Sequence, residues 1–235
     1  MTTVPSTTFL ELIDKISLLR QIDYFSDFTE DQLNKLAKAS ELKSISKHRF
    51  IFRDGEESTK IYVLVNGTVK LGTFSSDNRE VIKTILHPRA LFGESSISKE
   101  QVRNSFAKSI DVDVRYIEIE VSTFIELMRE NFDFNLRVVE HLGKKIQATE
   151  HRLESLVFND ARTRIVDFIK ENAKNFGHKV GLETLLKHSL TQQDIANYTG
   201  TSRQTVTSVL NDLKNTNKIH FRRKRILIRD MDALV

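Results

Sequence analysis

The sequence contains no cysteine. That absence removes disulfides, thiolate metal sites, iron–sulfur clusters and cysteine nucleophiles together. Long apolar runs are missing too: the longest, Ile61 to Val65, is far too short to cross a bilayer. The opening residues, Met1-Thr-Thr-Val-Pro-Ser6, lack the basic patch and apolar stretch of a secretory signal. A cytoplasmic address with no membrane partner is therefore expected. His48, His87, His141, His151, His178, His188 and His220 share no metal-ligand spacing. Neither a G-x-S-x-G elbow nor a Walker A loop is present. The expectation is a non-enzyme without catalytic residues or a metal site. His141 and His151 read as surface residues of a long helix.

What is present fits a globular chain. Its 235 residues are 39% apolar and 29% charged, enough for one large domain or two modest ones. The net charge of +4 is unevenly spread. Residues 1–158 carry 22 Lys and Arg against 24 Asp and Glu, whereas residues 159–235 carry 14 against 8. A basic C-terminal third on a nearly neutral body suits a phosphate-binding module attached to something else, although a solvated basic face would look the same.

Three regimes of periodicity divide the chain. Over residues 9–40, Leu10, Ile13, Ile16 and Leu19 recur at helical spacing, and Thr29 with Asp31 and Gln32 opens a second short helix. From about 42 to 120 short β-branched runs take over: Ile51-Phe52, Ile61 to Val65, Val69 to Leu71, Val81 to Leu86 and Val112 to Ile119. Asp54-Gly55, Asn66-Gly67 and Ser75 to Asn78 punctuate them, which predicts an antiparallel roll or barrel. Helical spacing returns after Val121. Leu136, Val139, Ile146, Leu153 and Val157 alternate in threes and fours, with Gly143 and Glu150 in the two remaining slots. This is a coiled-coil seam with two interruptions, and it predicts self-association over packing on the chain's own β domain. Residues 159–190 supply a further helix through Ile165, Val166, Phe168 and Ile169, then a loop around Asn175-Phe-Gly177.

The most informative stretch is Leu190 to Lys214. Thr191 and Asp194 form a capping-box-like start to a short helix with Ile195 and Ala196 inside. Gly200 permits a sharp turn, and Ser202 can cap a second helix. In that helix Val206, Val209, Leu210 and Leu213 form the buried stripe, while Arg203, Gln204, Thr207 and Ser208 lie opposite. Such a face suits base edges in a major groove, against the plainer alternative of an αα-hairpin. Beyond it, Ile219 to Phe221 and Ile226 to Ile228 read as strands joined by Arg222-Arg223-Lys224-Arg225. Four successive cations repel one another in a tight turn, but aimed at a phosphate backbone they make an anchoring wing.

From Leu190 through the basic hairpin the sequence resembles the winged helix-turn-helix of the cyclic-AMP receptor protein/FNR (Crp/Fnr) superfamily of bacterial regulators. The resemblance covers nearly the whole chain. Ile51 to Glu56, Ile61 to Leu71 and Leu91 to Glu94 are similar to the family's cyclic-nucleotide-binding β-roll, and residues 134–157 correspond to its dimerisation helix. The resemblance implies an α+β fold: an N-terminal antiparallel β-roll sensor with preceding helices (1–120), a helical linker and long dimerisation helix (121–158), and a C-terminal winged helix-turn-helix (159–235). It implies a sequence-specific transcription regulator that binds a palindromic promoter site as a homodimer, with RNA polymerase as a further partner. The candidate DNA-binding set is Thr191, Gln192, Ser202, Arg203, Gln204, Thr207, Ser208 and the wing Arg222, Arg223, Lys224 and Arg225. Arg203 is expected to hold a guanine, Gln204 an adenine or a neighbouring base, and Thr207 and Ser208 a phosphate or thymine methyl. Leu136, Val139, Gly143, Ile146 and Leu153 form the candidate dimer interface.

The resemblance also marks a ligand pocket from Gly93, Glu94, Arg103, Asn104, Thr149 and Glu150, where the family holds a cyclic nucleotide. Three departures bear on it and on the DNA face. The recognition helix has Gln204 and Ser208 where cyclic-AMP receptors carry Glu and a second Arg. The segment from Gly93 to Arg103 is one residue short, with Asn104 in place of Ser or Thr. Glu150 replaces a small hydroxyl beside Thr149 and would repel its mate across a dimer seam. The family's iron–sulfur branch needs cysteines, which are absent. We expect no cofactor and weak or no response to cyclic AMP, with an Arg103–Glu94 pair closing the pocket and DNA binding competent in the apo-protein. The alternatives are a cyclic-nucleotide-responsive regulator and a nucleotide sensor acting only through protein contacts.

Overall fold

A computed structural model describes residues 9–98 and 101–234, without the side chains of Phe9 and Leu10. The opening segment Met1 to Ser6 and residues 99 and 100 of the shortened cassette lie outside the described residues. The chain divides into two compact units, one of residues 1–73 and 85–145, the other of 74–84 and 146–235.

The first unit begins with α1 (Phe9–Arg20) and α2 (Glu30–Lys38). Thr29 caps α2 in a reciprocal box with Gln32, satisfying two backbone donors of the first turn. The strands that follow along the chain are β1 (Ser40–Ser46), β2 (Phe50–Phe52), β3 (Lys60–Asn66), β4 (Val69–Phe74), β5 (Glu80–Leu86, most of it in the second unit), β6 (Leu91–Phe92), β7 (Phe106–Ser109) and β8 (Asp113–Glu120). They make two four-stranded sheets, ordered β1-β8-β3-β6 and β2-β7-β4-β5. In β3 the apolar run has a physical explanation in its two buried faces. Ile61 and Val63 join the cluster containing Leu19, Phe25 and Leu36 of the helical lead-in, with Phe124 and Phe134. Tyr62 and Leu64, pointing the opposite way, join Phe52, Val69, Phe92 and Tyr116. Of the residues that recur at helical spacing in α1, Ile13 is half exposed and Leu19 is fully buried.

The helices α3 (Val121–Glu130) and α4 (Phe132–Phe158) follow. Phe134 and Val138 are the buried side chains of α4. The seam residues Leu136, Val139, Ile146 and Leu153 face outward, at 47% to 63% exposure. Gly143, on the same seam, has nothing within 4 Å of where a Cβ would stand.

In the second unit, Asp160 caps α5 (Ala161–Phe176) by accepting from the Thr163 amide at 2.7 Å. The stretch expected as a loop after α5 is a hairpin, β9 (His178–Val180) and β10 (Glu183–Lys187). It adds to the wing strands β11 (Ile219–Arg222) and β12 (Arg225–Ile228) in one sheet, ordered β11-β12-β10-β9. Between them lie α6 (Gln192–Thr199) and α7 (Arg203–Asn215). Ile165, Phe168, Ile195, Val206, Leu210, Leu213, Ile226 and Ile228 are buried in this unit.

Candidate functional sites

The helix pair α6 and α7 is built from local signals that agree with one another. Thr191 and Asp194 form a complete capping box at the start of α6. Gly200 ends α6 at φ +65°, a left-handed backbone that a side chain disfavours. Ser202 then caps α7 by accepting from Thr205 N–H at 3.0 Å. Val206, Val209, Leu210 and Leu213 are buried, while Arg203, Gln204 and Ser208 are exposed. Thr207 is half-buried, and its hydroxyl is engaged within the protein: Oγ1 lies 2.8 Å from Gln192 Oε1 and 2.9 Å from the Arg203 carbonyl. That leaves its methyl as the group most open to an outside contact.

Two arginines that sequence reasoning did not single out hold the turn between these helices. Arg152 donates to the carbonyl of Tyr198 at 2.6 Å and sits over the Tyr198 ring at 4.4 Å. Its other donors reach the carbonyls of Ile82, at 2.7 Å, and Lys83 on the hairpin segment 74–84. Arg164 donates to Thr199 O at 2.8 Å and Gly200 O at 3.3 Å. These carbonyls are the unsatisfied C-terminal end of α6, where the helix dipole favours a cation. The turn angle that presents α7 is thus fixed by two guanidinium groups.

On the wing, Arg222 and Arg225 are directly opposed across the hairpin, with Arg223 and Lys224 at the turn. All four are exposed. Lys224 adopts φ +64°, a conformation usually left to Gly or Asn. Its carbonyl accepts from His188 N–H at 3.1 Å, which ties the tip to the loop before α6. Facing like charges and a strained lysine are both costly. Such costs point to a use for the charge outside the hairpin.

The pocket residues are arranged differently from the expectation. Arg103 is 3% exposed and turned inward. It donates from Nη1 to Gly93 O and Ser96 Oγ, both at 3.1 Å, and from Nη2 to Lys60 O. Its guanidinium lies 4.4 Å from the Phe52 ring and 5.5 Å from the Tyr62 ring, on an aromatic stack that includes Phe92. Gly93, at φ +82°, makes room for this: a Cβ there would stand 2.9 Å from Tyr62 Cδ2 and 3.1 Å from Arg103 Nη1. The expected Arg103–Glu94 ion pair does not form. Glu94, equally buried, pairs instead with Lys145 of α4, while Arg103 gives its Nη donors to two backbone carbonyls and a serine and keeps Nε buried without a hydrogen-bond partner among the described residues.

His141 is likewise no surface residue. Its Nδ1 lies 2.7 Å from the Tyr24 hydroxyl, and its Nε2 stands 3.7 Å from Glu94 Oε1. Burial and the nearby Glu94 charge push the Tyr24 phenol up to about 12, so it keeps its proton in this contact. Burial raises the Glu94 pKa, but His141 and the Lys145 ammonium more than offset it and hold the carboxyl down at about 2. The readable signal was the four-residue spacing of His141 and Lys145, which puts both on one face of α4. His151 is exposed, as expected. Asn104, Thr149 and Glu150 are also exposed, and Thr149 and Glu150 belong to the second unit. Among the described residues no cluster of histidines and acids could hold a metal ion.

Comparison with known proteins agrees with this geometry. Residues 42–131 match the family described as "Cyclic nucleotide-binding domain", and residues 163–235 match "Crp-like helix-turn-helix domain". The chain is 27% identical over 217 residues to the "CRP-like cAMP-activated global transcriptional regulator" of Mycobacterium tuberculosis, covering 92% of this chain and 96% of that one. Among solved structures it is similar to a mutant of CooA from Carboxydothermus hydrogenoformans. The TM-score there is 0.75, at 22% identity over 92% of this chain and 93% of the other. It is also similar to the c-di-GMP responsive global regulator CLP of Xanthomonas campestris, with a TM-score of 0.71, 19% identity, and 85% and 99% coverage.

Proposed function

We propose that this chain, which belongs to the Crp/Fnr superfamily of transcription regulators, binds a palindromic promoter site as a homodimer and does so without cyclic AMP. One observation carries the DNA reading: a single compact unit presents both the exposed face of α7 and a strained hairpin tip of four exposed cations. In this reading α7 enters the major groove. Arg203 donates bidentately to a guanine, Gln204 reads the neighbouring base, and Ser208 meets a phosphate or thymine methyl. Thr191, Ser202 and the wing anchor to phosphates and displace counterions without reading sequence. The relatives are regulators rather than enzymes, and we assign this chain no catalytic role.

The homodimer rests on the outward apolar stripe of α4. Burying Leu136, Val139, Ile146 and Leu153 against their mates would contribute roughly 1.5–3 kcal/mol per well-buried side chain. Gly143 would let the two helices approach closely. Two-fold symmetry then sets two α7 helices about 34 Å apart, one turn of duplex. We assign sensing to residues 1–120, dimerisation to 121–158 and DNA binding to 159–235. RNA polymerase is the proposed further partner, by family. The proposed address is cytoplasmic; no helix among the described residues is long and apolar enough to cross a membrane.

Independence from cyclic AMP is supported by how Arg103 and Glu94 are used. The cation that would take a phosphate holds backbone carbonyls and an aromatic stack, and the carboxylate that would take a ribose holds Lys145. Relatives in sequence or fold are named for different effectors, cyclic AMP in one and c-di-GMP in another. The rival reading, a cyclic-nucleotide-responsive regulator, is favoured by the family match over residues 42–131 and by the cAMP-activated relative. Fluorescence anisotropy with operator duplexes selected by the purified apo-protein, alongside calorimetry with cyclic AMP and cyclic GMP, separates the two. Tight DNA binding without nucleotide is expected. Micromolar nucleotide binding that is required for DNA binding would overturn the proposal. A sensor acting through protein contacts alone would show no DNA affinity in either condition.

A further inference from the structure

Gln192 and Gln193 are neighbours in the first turn of α6, but their amides are held differently. Gln193 Nε2 donates to Asn197 Oδ1 at 2.7 Å, four residues along its own helix. Gln192 reaches across to the second helix, where its Oε1 lies 2.8 Å from Thr207 Oγ1. Thr207 stands four residues after Arg203, so it shares the face of α7 that carries the principal base-reading arginine. Its hydroxyl lies close to two acceptors, Gln192 Oε1 and Arg203 O at 2.9 Å, yet it has one proton to give. The Arg203 carbonyl sits within a helix ladder that already bonds it. Gln192 Oε1 has no other donor among its described contacts, so the proton serves the amide.

We propose that Thr207 is a positioning residue that converts Gln192 into a donor-only reader of one base pair. The inference rests on the reading of α6 and α7 as a DNA-binding pair. A free glutamine recognises adenine by using its oxygen and nitrogen together, accepting from N6 while donating to N7. With one Oε1 lone pair taken and the amide's orientation held by Thr207, Gln192 offers the N–H groups of Nε2 in place of the paired acceptor–donor edge. In the major groove these match a keto base, through guanine O6 or thymine O4. At adenine, Nε2 can still reach N7, but a second N–H meets the N6 amino group, and at cytosine N4 offers only another donor. At the base pair facing Gln192 the protein should therefore prefer a keto over an amino base, by about fivefold to tenfold for one hydrogen bond. The preference is set by a residue that itself touches no base edge through its hydroxyl.

The test is selection from a randomised operator library by the full-length protein, followed by affinities for single-base variants. Thr207→Val keeps the branched shape and removes the proton; Thr207→Ser keeps the hydroxyl. Thermal melting establishes that each variant folds, and Thr207→Ala replaces Thr207→Val if the latter does not. The wild type should show one keto-preferring position that Gln192→Ala abolishes. Thr207→Val should admit adenine there, Thr207→Ser should restore the preference, and positions read by Arg203 should be unaltered. If Thr207→Val and wild type give superimposable profiles while Gln192→Ala changes one position, the positioning role is refuted and DNA reading stands. A profile unmoved by Gln192→Ala refutes the reader itself. A wild type that selects no sequence at all overturns the DNA-reading function beneath both.

Discussion

Replacing Arg103 by alanine separates an arginine that holds the sensor unit together from one waiting for a phosphate. A waiting arginine would be solvated or loosely held, and its removal would cost the apo-protein under 1 kcal/mol, as surface substitutions do. The observed guanidinium is 3% exposed, donates to Gly93 O, Ser96 Oγ and Lys60 O, and lies over Phe52. Hydrogen bonds from a charged donor contribute about 1.5–3 kcal/mol each, and the ring contact about 1 kcal/mol. Much of that sum is offset by the several kcal/mol needed to desolvate the cation. A net loss of about 3 kcal/mol follows once the carbonyls left behind are counted. Urea melts of the full chain followed by far-ultraviolet circular dichroism measure it directly. The same energy opposes any ligand that must pull Arg103 out of its nest, weakening its affinity by roughly 150-fold. A destabilisation below 1 kcal/mol, together with micromolar cyclic AMP binding lost in Arg103→Ala, would refute the reasoning.

Local grammar made the DNA-binding half readable, and long-range partnership hid much of the sensor. Thr191, Gly200 and Ser202 act on backbone groups within four residues of themselves, so their roles can be read from spacing alone. The β3 run was equally legible, because a strand buried on both faces needs apolar residues at every position. The β9–β10 hairpin was not: all three residues of β9 are exposed, and nothing in their pattern departs from that of a loop. The partners of Arg103 are backbone carbonyls 10 and 43 residues away and a serine 7 residues away, none of which a sequence marks. Arg152 and Arg164 escaped notice for the same reason, since their acceptors on α6 are main-chain atoms. The expected Arg103–Glu94 pair was the reasonable choice when only charges could be matched. A lysine 51 residues away in sequence, on a helix assigned to dimerisation, was the better partner.

Four further outcomes are expected. Ile146→Glu with Leu153→Glu, on the outward seam of α4, should convert a sedimenting dimer to monomer at micromolar concentration and weaken operator binding; an unaltered dimer would reject the seam. Arg203→Ala should cost roughly 1–3 kcal/mol on the selected operator and relax one position, whereas neutralising Arg222 and Arg223 should weaken all sequences and flatten the salt dependence. Equal losses on specific and random duplex from Arg203→Ala would reject its role. Arg152→Ala should lower operator affinity while α7 stays helical, because the Tyr198 carbonyl and the hairpin carbonyls lose their shared donor; undiminished affinity would show that Arg164 alone fixes the turn. The last outcome concerns acid. The Glu94 carboxyl is held at about 2 in the folded protein against an ordinary 4.5, so folding favours its charged form. Its contribution is therefore fully present above pH 4.5 and is lost as pH falls through 4.5 toward 2, amounting to about 3 kcal/mol over that window. Glu94→Gln has no proton to take up. Its stability should fall less steeply with acid than that of the wild type, and the difference between the two should shrink as pH drops below 4.5. Parallel stability curves for the two proteins between pH 5 and pH 3, by chemical denaturation at about half-unit steps, would mean that neither Lys145 nor His141 holds the carboxylate in solution.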